Sequence, residues 1–364
     1  MNHFSKIVAF LILAANALFA GILVLTAYSP YIDPAAHPVQ SCMGLAFPVF
    51  LAINFCFFVF WLIVRWRFVF LSLLTFAICY PQIRTYMPVN FHSREVPEKS
   101  IKVLSYNVMS FGNMVKEDGR NPILDYIIRS EADIVCLQEH VLWEGGKKHI
   151  SPRDVGKALK AYPYRDVRPV GQEGGNNRLA CYSRFPILSA RTLDYESSYN
   201  GSVIYEIKIN EDTVTLINNH LESNKLTKED KVVYEDMLKD PNARKVKSGA
   251  RQLIRKLAEA SAIRSAQADT IARAIAHSPH RYVIVCGDFN DSPISYAHRV
   301  ISEDLDDAFT QSGRGFGISY NQNKFYFRID NILLSKNLKA TNCTVDRSIK
   351  DSDHYPIWCY VSKR

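Results

Sequence analysis

The first 90 residues of the chain consist of long apolar runs, whereas the remainder alternates short apolar and polar stretches. Three apolar runs stand out: Ile7–Ala27, Met43–Val64 and the shorter Phe68–Ile83, which contains Pro81. About twenty consecutive apolar residues are enough to cross the hydrocarbon core of a bilayer. We therefore predict that residues 1–90 form a membrane anchor with three transmembrane helices.

Two other interpretations of these runs stay open. The first run could be a signal peptide, although it lacks a clear small-residue cleavage site and two more apolar runs follow it. The runs could also form the helical core of a soluble protein, but apolar runs of this length are uncommon in soluble folds.

Basic residues beside the runs predict an orientation. Lys6 precedes the first run, the loop 28–41 has no Lys or Arg, and Arg65 and Arg67 lie between the second and third runs. Because basic flanks stay in the cytoplasm, three spans predict an integral protein of the cell (inner) membrane whose C-terminal part is extracytoplasmic. If the third run only lies on the membrane, that part faces the cytoplasm.

Residues 101–364 carry short β-type runs interspersed with helical ones, after a linker at 91–100 within the polar stretch 84–100. The β-type runs are Ile101–Asn107, Asp133–Gln138, Leu179–Ser183, Val203–Ile209, Thr213–Asn219, Tyr282–Cys286, Ile329–Leu334 and Ile357–Val361. Asn121–Ser130 has a helical pattern, and the fourth and fifth runs are expected to pair across the turn Asn210–Asp212. This arrangement predicts an α/β layered domain.

A long basic segment, residues 225–277, is predicted to form two helices separated near Pro241–Asn242. Its apolar positions recur at nearly helical spacing, at Leu253, Leu257, Ile263, Ile271 and Ile275. Its basic residues include Arg244, Lys245, Lys247, Arg251, Arg255 and Lys256. They could contact phosphates or lipid head groups, or they could simply form a solvated helical face.

Composition adds little to this picture. The chain has 364 residues, a formal net charge of +8 and a pI near 8.9, which suit an anionic substrate or a lipid surface without indicating a chemistry. Its eight cysteines show no metal-binding spacing, so the sequence predicts no zinc site. We expect buried free thiols, which leave the redox compartment undecided.

Candidate chemistry lies at the ends of the apolar strands, where α/β proteins place their sites. Asn107 ends the run VLSYN, and Glu139 follows the run DIVCLQ. A carboxylate directly after a buried strand is well placed for a hard cation, because Mg²⁺ takes one or two protein carboxylates and keeps water and phosphate as its other ligands.

Two further strand ends carry His220, in INNH, and the turn GDFND. Within this turn, Asp288 and Asn290 are two residues apart, a spacing that puts both side chains on one face of an extended segment. An aspartate can accept a proton from water, and an asparagine can hold an oxyanion.

Asp330 interrupts a β-type run, and a buried carboxylate needs a partner. The segment SDHYPI offers His354 as that partner, with Asp353 beside it. A carboxylate that fixes a histidine tautomer is the orienting arrangement of Ser-His-Asp triads. Each of these features is weak alone, but their joint order along the chain is specific.

In this order the chain resembles the endonuclease/exonuclease/phosphatase superfamily, which includes exonuclease III-like enzymes, DNase I, neutral sphingomyelinases and inositol polyphosphate 5-phosphatases. The matching segments are SYN (105–107), LQEH (137–140), YSRFPIL (182–188), NNHLES (218–223), GDFNDSP (287–293), RIDNILLS (328–335) and SDHYPI (352–357). The resemblance covers residues 101–364 and implies a four-layer α/β sandwich, two face-to-face β-sheets flanked by helices.

The resemblance also implies a hydrolase that cleaves phosphoester bonds with Mg²⁺ or, as the alternative, Mn²⁺. In such an enzyme each matching residue would have a role. Asn107 and Glu139 would bind the metal, and Asp353 would be a further ligand or a neighbouring acid. Asp288 would activate water, and Asn290 would help to hold the phosphate.

The remaining matches would stabilise the reacting phosphate. His220 and His354 would contact phosphoryl oxygens, with Asp330 orienting His354. Arg178 and Asn224, close to matching segments, are looser candidates for substrate contacts.

Two departures from the family pattern argue mildly against DNA repair. Met109 occupies a position where exonuclease III-type nucleases often carry a second Asn or Asp, and Asn331 occupies one that is often aromatic. Three functions stay open: a phosphodiesterase acting near the membrane, for example on a lipid head group; a nuclease; and a catalytically silent binding module. The sequence does not separate monoesterase from diesterase activity, and it indicates no protein partner.

Overall fold

A computed structural model describes residues 3–113, 120–142, 150–172, 175–227, 229–230, 232, 244–320, 322 and 326–364. Its helices are α1 (His3–Tyr28), α2 (Pro38–Ser41), α3 (Phe47–Val64), α4 (Val69–Ile78), α5 (Tyr80–Tyr86), α6 (Pro122–Ser130), α7 (Pro152–Ala158), α8 (Arg244–Ala276), α9 (Tyr296–Ile301) and α10 (Ala308–Ser312). Its strands are β1 (Ile101–Asn107), β2 (Ile134–Gln138), β3 (Tyr164–Pro169), β4 (Arg178–Ser183), β5 (Ile187–Thr192), β6 (Gly201–Ile209), β7 (Asp212–His220), β8 (Tyr282–Asp288), β9 (Leu305–Asp307), β10 (Asp330–Ser335), β11 (Leu338–Val345) and β12 (Ile357–Lys363).

Within the described part of the chain, two N-terminal segments, Lys6–Tyr31 and Pro38–Val64, are long and apolar enough to cross a membrane. The third apolar run forms α4 and α5, which meet at an angle of 67°. Pro81 lies in the first turn of α5, where its fixed φ and missing N–H favour the start of a new helix. If this bent pair is one span, the anchor has three spans, so that prediction stays open.

Polar side chains join the anchor helices. Asn54 on α3 donates to the carbonyl oxygen of Phe19 on α1 at 3.0 Å. Asn16 on α1 accepts from the Trp61 indole at 3.0 Å and the Ser72 hydroxyl at 3.4 Å, which ties α1 to both α3 and α4. In an apolar environment such side-chain hydrogen bonds hold helices together where the hydrophobic effect does not.

The β-strands form two six-stranded sheets that pack face to face. The strand orders are β11-β12-β1-β2-β4-β3 and β5-β6-β7-β8-β10-β9. The β1–β2 and β7–β8 pairs are parallel, whereas the predicted hairpin β6–β7 is antiparallel around Asn210, whose φ is +53°. The core between the sheets includes Val103, Ile134, Leu216 and Ile284.

Helices cover both outer faces and complete four layers. Ile123 and Ile127 of α6 pack on the sheet of β1 and β2, whereas Ala268 and Ile271 of α8 pack on that of β7 and β8. The predicted α/β sandwich is therefore confirmed. A parallel strand pair requires a long crossover, so α8 is a layer of the sandwich as well as part of the basic segment. The predicted break at Pro241–Asn242 lies outside the described residues.

The anchor docks directly on the sandwich. Leu23, Ala27, Phe47 and Cys79 form an apolar cluster with Ile294, which lies in the loop after β8. Just before the segment predicted to be a linker, Val89 forms an isolated antiparallel bridge with Arg314, so this part of the polar stretch 84–100 is docked on the sandwich.

All eight cysteines are free, but burial is not uniform. Cys42 is half-buried and Cys56 is exposed, contrary to the expectation of buried thiols. Cys56 points outward from α3, an apolar helix whose outer face has little protein around it.

Candidate active site

Strand register brings three predicted residues side by side in one sheet. His220 at the end of β7 pairs with Asp288 at the end of β8, because these strands are parallel. The antiparallel strand β10 begins at the same edge, where Asp330 pairs with Asp288. Residues far apart in the sequence therefore meet at one edge of the sheet.

The other sheet supplies Asn107 and Glu139 from the same edge. Asn107 ends β1, and Glu139 follows β2 in the left-handed region at φ +53°. The Asn107 amide Nδ2 lies 3.2 Å from Asp288 Oδ2 and 3.3 Å from Glu139 Oε1. The two sheets thus contribute to one cluster.

Glycine is required where β7 and β8 approach the site. Gly287 has a φ of +129°, and a Cβ there would lie 2.0 Å from the carbonyl oxygen of Asn219. Asn290 also has a positive φ, +52°. Such backbone conformations are costly and concentrate at functional sites.

Asp288 is the centre of the cluster. Its Oδ2 atom lies 3.2 Å from Asn107 Nδ2 and 3.6 Å from Nε2 of both His220 and His354. Its Oδ1 atom accepts the backbone N–H of Asn290 at 2.8 Å. Burial raises the pKa of Asp288 to about 6, although the neighbouring histidines partly offset this effect.

His354 is held by Asp330, whose Oδ2 atom lies 2.8 Å from His354 Nδ1. Burial alone would lower the pKa of His354, but the carboxylates of Asp330 and Asp288 outweigh burial and hold that pKa well above its usual value. The Ser319 hydroxyl accepts the backbone N–H of Asp330 at 3.0 Å and fixes the strand start. The two carboxylates therefore favour the protonated form of His354.

His220 differs from His354, because burial lowers its pKa and favours the neutral imidazole. The Asn177 amide Nδ2 lies 3.2 Å from His220 Nδ1, so Nδ1 is the acceptor and the proton sits on Nε2. That Nε2–H faces Asp288 and, at 3.7 Å, Glu139. The site thus holds one neutral and one charged histidine.

Carboxylate ligands suited to a divalent cation lie at Glu139 and Asp353. The Asn107 side-chain oxygen accepts the backbone N–H of Met109 at 3.2 Å, so Asn107 could bind the same cation only if its amide turned over. Burial and, secondarily, the negative charge of Asp353 raise the pKa of Glu139. A cation between two such carboxylates would relieve their repulsion, so these residues fit Mg²⁺ or Mn²⁺.

A second possible cation site is less suitable. Asp288, Asp330 and His354 offer ligand atoms within 4.8 Å of one another. However, Nδ1 of His354 already bonds to Asp330, and the carboxylates that favour protonation of this imidazole disfavour its use as a metal ligand.

Other candidates lie around the cluster. Asn290 Nδ2 donates to the carbonyl of Leu221 at 2.9 Å, and Asn224 Nδ2 lies 3.4 Å from the carbonyl of Asn290, so both shape the loop after β8. Arg178 is exposed at the start of β4, where its carbonyl accepts the backbone N–H of His140. Its buried neighbour Asn177 is the residue that reaches His220.

Arg264, on the buried face of α8, is a site-forming residue that the sequence did not reveal. Its Nε atom lies 3.1 Å from Asp291 Oδ2, and its Nη1 atom donates to Asn224 Oδ1 and to the Glu222 carbonyl, both at 2.9 Å. It thereby joins the loops that follow His220 and Asp288. Among many basic residues in residues 225–277, nothing in the sequence distinguishes it.

Comparisons with solved structures give weak sequence similarity but broad coverage. D. rerio TDP2, in a complex with a single-strand DNA product, is 18% identical with a TM-score of 0.51, over 72% of this chain and 99% of that one. The human Nocturnin catalytic domain with bound sulfate is 16% identical with a TM-score of 0.48, over 76% and 97%. An endonuclease/exonuclease/phosphatase from Beutenbergia cavernae is 16% identical with a TM-score of 0.49, over 72% of each chain.

Family models match both parts of the sequence, whereas no curated protein matches it. Residues 7–86 match a domain of unknown function. Residues 104–354 match the endonuclease/exonuclease/phosphatase family, whose members are typically hydrolases of phosphoester bonds. Because this match spans most of the chain and the first of these structures has the same sandwich, the chain belongs to the endonuclease/exonuclease/phosphatase family.

Proposed function

We propose that this chain is a membrane-anchored phosphoester hydrolase that uses Mg²⁺ or Mn²⁺ and cleaves a phosphodiester close to the membrane. The observation that carries the proposal is the convergence on Asp288 of a neutral His220 and a charged His354. A carboxylate and two N–H donors around one point suit the attack of water on phosphorus.

Asp288 serves as the base that takes a proton from the attacking water. Its raised pKa, about 6, brings its basicity closer to that of a neutral-pH catalyst than an ordinary aspartate. His354, held by Asp330, and His220, held by Asn177, point their Nε2–H groups toward phosphoryl oxygens. Donors fixed before the reaction stabilise the developing charge without reorganisation.

Glu139, Asn107 and Asp353 would hold the cation. A bound cation would supply Lewis-acid chemistry, polarising a phosphoryl oxygen and offsetting negative charge in the transition state. Asn290 keeps Asp288 oriented through its backbone N–H. For the Asn290 side chain to hold phosphate, its Nδ2 group must give up the Leu221 carbonyl.

The division of the chain supports a membrane location. In our proposal residues 1–90 are the anchor, 91–100 the linker and 101–364 the catalytic domain. The cluster at Ile294 holds the C-terminal end of α1 and the N-terminal end of α3 against the sandwich. Lys6 and the Arg65–Arg67 turn therefore lie at the opposite end of the anchor, which favours an extracytoplasmic catalytic domain.

A nuclease is the alternative within the same chemistry. The D. rerio TDP2 structure contains a single-strand DNA product, and α8 carries several basic residues. Nucleic-acid binding should weaken steeply with salt. Lipid hydrolysis should instead follow the amount of vesicle surface.

The test is hydrolysis of bis-p-nitrophenyl phosphate by the full-length protein in detergent, with Mg²⁺, Mn²⁺ or EDTA. We expect turnover that EDTA abolishes and that His354→Ala reduces by about 10²–10³-fold. His277→Ala, which removes an exposed histidine directly after α8, is the matched control and should retain activity. No turnover with either metal, or undiminished turnover in His354→Ala, would refute the proposal.

A further inference from the structure

A groove of about 460 Å³ lies between α2 and the part of α8 from Arg251 to Ala262. Its apolar lining includes Val39 from α2 together with Ile254, Ala258 and Ala262 from α8. These α8 residues recur every four positions, so they lie on one face of the helix. Val39 and Ile254 are 51% and 44% exposed, which leaves apolar surface for a ligand to cover.

The groove also carries a net positive charge. Two arginines, Arg251 and Arg255, line it together with one carboxylate, Glu259. The Arg255 side chain is 73% exposed and its Nε atom lies 3.6 Å from Glu259, an exposed pair that is only weakly held. By contrast, Lys256 on the same helix is tied to the buried carboxylate of Asp230. Arg251 and Arg255 are therefore placed for an anion at the edge of an apolar surface.

The groove lies where a membrane surface is expected. Its wall α2 begins the second candidate span, Pro38–Val64, a few residues after the end of the first, Lys6–Tyr31. Tyr28 and Tyr31, both exposed, end the first candidate span, and tyrosine is enriched at membrane interfaces. The Ser41 and Ser261 hydroxyls, 3.3 Å apart, hold α2 against α8 at this level.

We propose that this groove binds one anionic phospholipid of the bilayer that holds the anchor. An acyl chain covers Val39 and Ile254, while Arg251 and Arg255 contact the head-group phosphate. The groove shares no lining residue with the catalytic cluster, so the lipid site is separate from that cluster. The inference rests on the proposed membrane location but not on catalysis.

The test is native mass spectrometry of the full-length protein in detergent, titrated with phosphatidylglycerol or phosphatidylcholine. We expect one phosphatidylglycerol to bind more tightly than phosphatidylcholine. The variant Arg251→Gln/Arg255→Gln should bind phosphatidylglycerol about tenfold or more weakly, because each basic residue at a lipid surface contributes appreciably to affinity. The control Arg153→Gln/Lys160→Gln removes two exposed charges, one within α7 and one just after it, and should not change binding.

A second variant tests the apolar part of the groove without changing charge. Ala262→Phe fills the groove and should weaken the binding of both lipids, with an unchanged melting temperature as the check on folding. Equal affinity for the two lipids, or unchanged phosphatidylglycerol binding in Arg251→Gln/Arg255→Gln, would overturn the proposal. Carbonate extraction from membranes separately tests whether the anchor is inserted, and hydrolysis of bis-p-nitrophenyl phosphate separately tests catalysis.

Discussion

Two buried histidines approach the same Asp288 oxygen at 3.6 Å, yet they differ in charge. The difference arises from their other ring nitrogens. A carboxylate, Asp330, holds Nδ1 of His354, whereas an amide, Asn177, holds Nδ1 of His220. A negative partner compensates for the desolvation of an imidazolium, and a neutral partner does not.

Asp330→Asn should therefore change the pH dependence of hydrolysis. In the native protein, activity should rise as Asp288 loses its proton near pH 6, and should fall where His354 loses its proton at much higher pH. Removal of the Asp330 charge lowers the pKa of His354, so the alkaline limb should move to lower pH. The rate should fall by about 10²–10⁴-fold, as for loss of an orienting carboxylate.

A pH–rate profile from pH 5 to 10 measures this shift. Asp306→Asn, which removes a carboxylate paired with the exposed Arg364, is the control and should leave both limbs unchanged. An alkaline limb that stays in place in Asp330→Asn would contradict the assigned role of Asp330.

The residues of the cluster differ in how well the sequence indicates them. Asp288, His220 and His354 lie in short motifs at strand ends, so local pattern was sufficient to select them. Asn177 lies in the polar run GQEGGNNR, and its contact with His220 depends on the fold of a distant strand. Arg178, selected for its charge, is exposed beside it, and its role as a substrate contact stays a prediction.

Helix α8 carries two functions along one buried face. Ala268 and Ile271 pack on β7 and β8, while Arg264 joins the loops that leave those strands. The sequence predicted helix here from its periodicity, but it gave no means of recognising the crossover between parallel strands. Strand pairing is a tertiary property, and the parallel β7–β8 register is visible only in the folded chain.

Arg264→Met should destabilise the protein by about 3–5 kcal/mol, because it leaves Asp291 buried without its ionic partner. Arg264→Lys keeps the charge but loses the forked contacts to Asn224 and Glu222, so its effect should be smaller. If Arg264 positions the loops, Arg264→Lys should lower kcat and leave the KM for bis-p-nitrophenyl phosphate nearly unchanged.

Thermal unfolding and steady-state kinetics on the full-length protein measure these effects. Arg273→Met, which removes an exposed arginine from the same helix, is the matched control. Native stability in Arg264→Met, or native kcat in Arg264→Lys, would show that the network around Arg264 is not required.

The strands were predicted more reliably than the junction between anchor and sandwich. Short apolar runs make strands visible in a single sequence, and β1, whose last five residues are all buried, has the predicted bounds. The close contact of Gly44 with Ile294 has no local signal. A Cβ at Gly44 would lie 1.9 Å from the carbonyl oxygen of Ile294, so the two backbones touch.

Gly44→Leu should therefore separate the anchor from the catalytic domain. Gly21→Leu is the matched control, because a Cβ at Gly21 meets nothing within 4 Å. Limited trypsin digestion reports the separation, since Arg94 and Lys99 are exposed in the linker. We expect faster cleavage at these sites in Gly44→Leu alone, and equal rates in both variants would exclude a fixed junction.

Further contacts make the junction broad. Arg328 donates to the carbonyl of Thr85 at 2.6 Å, and Arg299 donates to the carbonyl of Pro30 at 2.8 Å. The domain is therefore fastened at several points around Ile294, and its height above the bilayer is set by the fold if α1 and α3 cross the membrane as proposed.

A catalytic domain held at a constant height above the bilayer diffuses in two dimensions and not in three. Its encounters with a lipid substrate would then be governed by lateral diffusion and by the number of substrate molecules per unit of membrane area. Diluting that lipid with an inert one in the same vesicle would slow the reaction, whereas diluting the vesicles themselves would leave the rate per enzyme unchanged.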